Sequence, residues 1–584
     1  MKFIWAAICL ILLPSASQAA ETVISEFELQ DYLGAEHKLS DWQDKPIEVV
    51  TFLGTECPLA KLYGSRLAEM AKEYEADGVQ FVGINSNQQD TLREIAHYAE
   101  KHKIEFPLLK DSAHMVADQF GAERTPTVYV LDQDRKIRYS GRIDDQFGVG
   151  YSRSEIKQNN LANALEDLLA GQEVALPETE AVGCIIGRSK KVEPTGDITY
   201  AEHVSRLMQE HCVRCHREGQ VAPFALTSYD EVAAWAETML EVIDDGRMPP
   251  WHVDPQFGHF SNDARMSDKD KQTFHQWVDN GMPEGDPSKL PAPLDFVEGW
   301  QIPEPEKVYK MEKEFTVPPK GTVPYVYMVI EPSMPADTWI SAAEVRPSNY
   351  AVVHHAIAFF IPPDRDFKAS DPLINSIGTY SPGMPPASWP KGYARFIPKG
   401  AKLVFQMHYT PNGSIQTDRS ELGLVYADPA EVQKKIEYDV AVNPRFNIPA
   451  GDPNYHVPAE HRFRKDKILH MLVPHMHLRG KAFRYTANYP DGTQEVLLDV
   501  PNYDFNWQNA YVLAEPKLMP AGTVMHCDAY FDNSADNLMN PDPTKEIHWG
   551  DQSWDEMMIG SMVLTDPDSE VEHEARAADP TAKQ

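Results

Sequence analysis

Residues 47–60 read IEVVTFLGTECPLA, and the fold of the first part of the chain turns on them. IEVVTFLG (47–54) is an apolar run of strand length, the pattern of a strand buried on both faces. Pro58 suits the first turn of a helix, so a helix is predicted to begin just after Cys57. AKLYGSRLAEMAKEYEADG (60–78) then carries helical spacing to a glycine stop. Working outward, VQFVGINS (79–86) reads as the next strand and QQDTLREIAHYAEKHK (88–103) as the next helix. FPLLKD, TPTVYVLD and KIRYSGRIDD follow. Strands alternating with helices imply an α/β layer fold. Arg124-Thr125-Pro126-Thr127, just before a strand, is where a cis-proline turn is expected.

These features resemble the thioredoxin-like redoxin family, which includes peroxiredoxins and thiol–disulfide oxidoreductases. The resemblance rests on the strand, the Cys-Pro helix start and the later Thr-Pro, over residues 21–190. Cys57 would stand at a helix N-terminus, where the helix dipole lowers a thiol pKa. Two departures matter. The motif is Cys57-Pro58-Leu59-Ala60, without the second cysteine of a CxxC pair, and Gly54 stands where common peroxiredoxins carry threonine. Cys184, in AVGCIIGR, is a candidate distant resolving thiol. Active thiol chemistry and a degenerate fold kept for packing or docking both remain open.

The 584 residues suggest roughly four domains at about 150 residues each. Asp plus Glu at 88 against Lys plus Arg at 54 gives a net charge of -34. That balance argues against nucleic acid or anionic lipid as a partner. MKFIWAAICLILLPSASQAA (1–20) has a lysine, a short apolar stretch and small residues, as a secretory signal peptide does. The mature chain is therefore expected to be periplasmic or secreted, with no later membrane span. Removal of Cys9 with the signal leaves Cys57, Cys184, Cys212, Cys215 and Cys527, too few and too uneven for a dense disulfide scaffold.

A second unit, 198–290, opens with the helical pattern TYAEHVSRLMQEHCVRCHREG. Cys212-Val213-Arg214-Cys215-His216 is a CxxCH motif, the signature of covalent c-type haem attachment. The two thiols would bond the haem and His216 would ligate its iron. Met248, in DDGRMPPWHVD, is the expected opposite ligand, with His252 as alternative. A methionine in such a loop resembles the small c-type cytochromes, an all-α fold. SDKDKQTFHQWVDNGMP (267–283) supplies a last helix.

From about 290 to 565 short runs rich in Val, Ile, Tyr, Phe and Thr are broken by prolines and glycines. YVYMVIEP, YAVVHHAIAFFI, AKLVFQMHYT and KAFRYTANY are examples, and the texture predicts antiparallel β-sandwich structure in two lobes. Five histidines lie inside these runs or beside them: His354, His355, His408, His475 and His477. Buried rings need partners, and a metal supplies one. In LVPHMHLRG (472–480), a strand would aim His475 and His477 at one point. His354 and His355 are adjacent, so they share a metal only at a distortion or strand end.

This pattern resembles the copper type II, ascorbate-dependent monooxygenases, represented by peptidylglycine alpha-hydroxylating and dopamine beta-monooxygenase. The resemblance implies jelly-roll-like lobes at 300–440 and 441–565 and two copper ions. It assigns His354, His355 and His408 to an electron-transfer copper, on the HH pair and Gln406-Met407-His408-Tyr409. It assigns His475, His477 and Met557 to a catalytic copper, on the HxH pair and Asp555-Glu556-Met557. Met525, His526 and Met558 are nearby alternatives, more readily read as core or supporting residues. The implied reaction inserts oxygen from O₂ into a C–H bond of a small-molecule or peptide substrate. Electrons would come from ascorbate or another redox protein, or through the chain's own haem. The family's disulfides are missing, since Cys527 is alone in this unit. Two rival readings remain: a copper- and haem-binding redox module without hydroxylation, and a thiol-dependent peroxidase or thiol–disulfide oxidoreductase centred on Cys57. The chain is thus expected to be multidomain, ending in a tail at 566–584.

Overall fold

The structure, a computed structural model, describes residues 22–153, 155–188, 194–297, 299–330, 333–368 and 371–567. The expected signal peptide and nearly all of the expected tail lie outside those residues. The first unit is a seven-stranded sheet. Its order is Glu36–Lys38, Glu28–Asp31, Leu108–Lys110, Val79–Asn85, Ile47–Phe52, Thr127–Asp132 and Ile137–Gly141. Ile47–Phe52 pairs in parallel with Val79–Asn85 and antiparallel with Thr127–Asp132. The continuous apolar run follows from burial on both faces. Ile47 and Val49 enter one core, while Val50 and Phe52 enter the other. The helix Pro58–Tyr74 starts at the expected proline with Cys57 as its cap, and the chain turns at left-handed Gly78 (φ 82°). Helix Leu92–His102 is closed by a Thr91/Glu94 capping box. The Thr125–Pro126 peptide is cis, as the sequence suggested.

Residues 200–282 form helices and turns among the described residues, apart from one isolated bridge between Phe260 and Leu513. A helical stretch runs through Tyr200–Val204, Ser205–Leu207 and Met208–Cys212, followed by Tyr229–Asp244 and Asp268–Asp279. Trp235, Met239, Phe274 and Trp277 meet in their common core. The segment after them departs from the sequence-drawn boundary. Trp251, Val253 and Phe260 are buried in the core of the last sheets, and Asp254 N–H donates to the Asp499 carbonyl.

The rest is β-rich, with four larger sheets set like four blades along the chain. The first is built on Thr338–Arg346, Tyr393–Ile397 and Glu421–Tyr426. The second has Val326–Ile330, Lys402–Tyr409, Val353–Ile361 and Ser376–Tyr380 in that order. They share a core of residues such as Ile340, Ala358, Phe405 and Leu424. The third orders Glu437–Val442, Ile559–Thr565, Lys467–His475 and Tyr511–Met519; the fourth orders Tyr455–Arg462, Val524–Phe531, Gly480–Asn488 and Gln494–Val500. Leu472, Phe483, Cys527 and Met562 tie this second pair together. Glu437–Val442 pairs with Ile559–Thr565, so the division between pairs falls before residue 437, slightly earlier than the sequence boundary. No helix among the described residues is long and apolar enough to cross a membrane.

Candidate thiol, haem and metal centres

Cys57 is fully buried at the start of helix Pro58–Tyr74, and its S–H donates to the Thr125 carbonyl at 2.9 Å. A second thiol, Cys184, arrives from far along the chain. Cys184–Ile185 pairs antiparallel with Arg124–Thr125, which places Cys184 opposite Thr125. Gly183 makes this approach possible, because a Cβ there would stand 2.0 Å from the Thr125 carbonyl oxygen. The following residues are clamped as well: Gly187 N–H donates to Asn87 Oδ1 at 3.1 Å and Ile186 N–H to the Glu123 carbonyl at 2.8 Å. Burial pushes the Cys57 thiol up, but hydrogen bonds to Cys184 and to nearby backbone outweigh it and leave Cys57 lowered. The same hydrogen bond, with burial, holds Cys184 well above the usual thiol range. Of the two thiols, Cys57 is therefore the one that ionises more readily. A Cβ on Gly54 would lie 2.4 Å from Asn87 Nδ2 and 2.9 Å from Thr125 Oγ1, so a side chain there needs both to shift.

Cys212 and Cys215 end the helical stretch in a tight turn, with His216 N–H donating to the Cys212 carbonyl at 2.9 Å. His216 Nδ1 lies 3.2 Å from the Phe224 carbonyl. A proton on Nδ1 satisfies that contact and leaves Nε2 as a free donor atom for iron. This donor set fits a covalent haem. Met248 follows helix Tyr229–Asp244 on a loop with a cis Met248–Pro249 peptide, and His252 is half-buried on the same loop. Thiol and CxxCH elements adjoin: Cys184 packs against both unit cores, and Arg124 bonds Glu241 of that helix at 2.6 Å.

His355 and His408 are register partners on adjacent strands. The ladder shifts between Val353 and His355, so His354 sits in a bulge. That irregularity resolves the problem of adjacent histidines on a strand, since a bulge re-aims a side chain. His354 Nδ1 lies 3.1 Å from His355 Nδ1, and His408 Nδ1 lies 3.4 Å from it. One donor atom from each ring falls within 4.8 Å of the others. Burial holds His354 at about 4, and burial with neighbouring rings holds His355 and His408 well below the ordinary histidine value. A neutral imidazole keeps one nitrogen lone pair free, and three such rings converging could hold a metal ion.

The HxH pair is built differently from the sequence expectation. His475 is the last residue of its strand and His477 lies beyond it, with ring centroids 5.1 Å apart at 87°. Buried Glu556 fixes that turn by accepting from His477 N–H at 2.8 Å and Arg479 N–H at 2.6 Å. Met557 adjoins this carboxylate and, with His475, lines the cavity between the sheet pairs. Met558 and Met525 are fully buried in the core, and His526 pairs with Glu460 and Asp528, so none of the three joins the site. The buried Nε2 atoms of His354 and His477 have no hydrogen-bond partner among the described residues.

Several contributors carried no signal in the sequence. Gln508 lies 2.8 Å from His475 Nδ1 through Oε1 and 3.4 Å from His355 Nδ1 through Nε2, spanning both groups. Tyr325 packs against His355, His408 and His477 at centroid distances of 5.5, 4.9 and 6.2 Å. Phe505 stacks on His354 at 5.1 Å, and Ser553 Oγ reaches His408 Nε2 at 3.2 Å.

A model of the AhpC/TSA family matches residues 20–140. A thiol-disulfide oxidoreductase ResA of Geobacillus thermodenitrificans is 25% identical over 120 residues, covering 20% of this chain and 67% of its own. A Mycobacterium tuberculosis protein assigned to the peroxiredoxins is 30% identical over 124 residues, covering 20% of this chain and 79% of its own. Among solved structures, a hypothetical protein of Sinorhizobium meliloti is 30% identical, with 29% of this chain and 93% of its own covered and a TM-score of 0.27.

Proposed function

We propose, from the premise that the chain belongs through residues 20–140 to the AhpC/TSA family, that its first unit is a two-cysteine thiol–disulfide oxidoreductase. The observation that carries this is the register placing Cys184 opposite Thr125, whose carbonyl accepts the Cys57 S–H. The Cys57 thiolate attacks a substrate disulfide, releasing one substrate thiolate and forming a mixed disulfide. Cys184 then attacks the Cys57 sulfur, releases the second substrate thiol and leaves a Cys57–Cys184 disulfide. Two electrons reach the substrate, and an external dithiol restores the pair. With oxidised glutathione as substrate, Cys184→Ser is expected to stop turnover and hold a glutathione adduct on Cys57, read by mass. Oxidised native protein lacking a Cys57–Cys184 disulfide would refute the assignment.

A second centre is supported by the convergence of His354, His355 and His408. Copper suits these neutral imidazoles, and a thioether favours its reduced state. His354, His355 and His408 would hold one ion, and His475, His477 and Met557 the other. Bound copper supplies one-electron transfer and activation of O₂. The chain's own groups do the positioning: Gln508 orients His475, Ser553 orients His408, and Glu556 fixes the His477 turn. The finer reading is a copper monooxygenase hydroxylating a C–H bond of a small-molecule or peptide substrate. Cys212, Cys215, His216 and Met248 would hold a c-type haem as one-electron carrier, with ascorbate or another redox protein as outside donor. An exported location follows from this reading, because covalent haem is attached outside the bacterial cytoplasm. The test is metal content after haem maturation: two coppers per haem are expected, and zinc or no metal would sink the reading.

A further inference from the structure

Between the two sheet pairs lies a cavity of about 690 Å³, walled on one side by Ile357, Trp389 and Tyr393 and on the other by Met471, Val473 and Val563. Its wall reaches His355, His475 and Met557, so a molecule held at that end lies against both histidine groups. We propose that this cavity takes a neutral, largely apolar small molecule bearing one hydrogen-bonding group. The proposal deepens the copper reading and rests on it for the chemistry that follows binding.

The charge of the wall decides the class. No lysine or arginine lines the cavity among the described residues. Away from the histidine groups a carboxylate or phosphate would leave water without a protein counter-charge, and burying an unpaired ion is costly. Asp551 is the single carboxylate on the wall among the described residues, and burial together with Asp555 raises its pKa. The remaining polar lining is neutral, including Gln301, Thr379, Ser381 and Ser561. Ser381 is 2% exposed, and its Oγ has no hydrogen-bond partner among the described residues. A buried hydroxyl left unpaired costs about 1–3 kcal/mol, which a hydrogen-bonding partner on a ligand would recover. A ligand hydroxyl or carbonyl does so, while Trp389, Tyr393 and Ile357 take the apolar body.

Three probes of one shape separate the possibilities: 4-butylbenzamide, 4-butylbenzoate and 4-butylbenzylammonium, titrated calorimetrically into the full chain at pH 7 with and without copper. The amide is expected to bind at least about tenfold tighter than either ion, the scale of one unpaired buried charge after partial relaxation. Ile357→Trp, which fills the cavity, is expected to weaken the amide by about tenfold with metal content unchanged. Ser381→Ala is expected to weaken the amide and leave butylbenzene unaffected. Equal or tighter binding of the benzoate or the ammonium overturns the proposal, as does failure of all three to bind. Preference for the amide in a protein that takes up no copper would leave the cavity assignment standing and remove the copper reading. Copper uptake with a charged probe preferred does the reverse.

Discussion

Cys57 and His477 are both fully buried polar groups, and the protein treats them in opposite ways. The Cys57 sulfur is answered within the chain by the Thr125 carbonyl and by Cys184. The Nε2 atoms of His477 and His354 are answered by no protein group among the described residues. A buried polar atom left unpaired costs about 1–3 kcal/mol, which a ligand at either nitrogen would recover. The buried thiol is thus answered within the protein. The buried histidine nitrogens are not, among the described residues. The contrast extends to assembly. Cys57 is placed by one sheet, one helix cap and one inserted strand, whereas the histidines come from two sheet pairs and are spanned by Gln508.

The strongest way to break this comparison is to remove one member of each centre and read both activities. Cys57→Ser is expected to lower disulfide reduction by at least ~10³-fold, the order seen when a nucleophile is deleted, with copper uptake unchanged. His408→Ala is expected to lose one copper ion, read by metal analysis, with thiol activity kept within about twofold. A tenfold loss of thiol activity in His408→Ala would mean that the centres are one machine.

The centres should also separate along pH. Burial holds His354 and His475 at about 4 in the fold, against ~6.5 for a free ring. As pH falls, the unfolded chain takes up these protons first. Stability is therefore full above about pH 6.5 and is lost progressively toward pH 4. The loss is roughly 3 kcal/mol per ring at most, from 1.36 kcal/mol per unit. Thermal melting of copper-free protein should show a falling Tm across that window. Copper, which binds the neutral rings, should push the fall to lower pH. A Tm independent of pH between 6.5 and 4.5 would mean that the rings are hydrated.

Much of this was readable in residues, and the exceptions share a cause. IEVVTFLG, Pro58 and Thr125-Pro126 are local signals, because burial on two faces, a helix start and a turn each need only neighbouring residues. The strands around His354 and His408 were legible for the same reason. Cys184 reaching Thr125 was not, because nothing in AVGCIIGR encodes its pairing partner; only Gly183, required by the close approach, hinted at it in retrospect. The bulge at His354 depends on how two strands register. The packing of Trp251 and Phe260 into the last core depends on which unit lies beside the loop. Gln508 stands in an irregular loop whose sequence has no periodicity to read.

The smallest expected effect lies in the adjacent methionines, and it sharpens the distinction between a completed and an uncompleted site. Met558 is fully buried in the core with Cys527 and Met562, while its neighbour Met557 faces the cavity beside His475. Met558→Leu conserves volume and removes no ligand, so it should cost less than about 1.5 kcal/mol and leave both copper ions in place. Met557→Leu also conserves volume but removes the thioether, so stability should change as little while affinity for reduced copper at the HxH group falls by about tenfold. Denaturant unfolding and competition with a Cu(I) chelator read the two quantities separately. If the two variants lose copper equally, the thioether is not the discriminating atom and the third ligand must be sought elsewhere on the cavity wall. If only Met557→Leu does, one side chain's direction separates core from site at two consecutive positions.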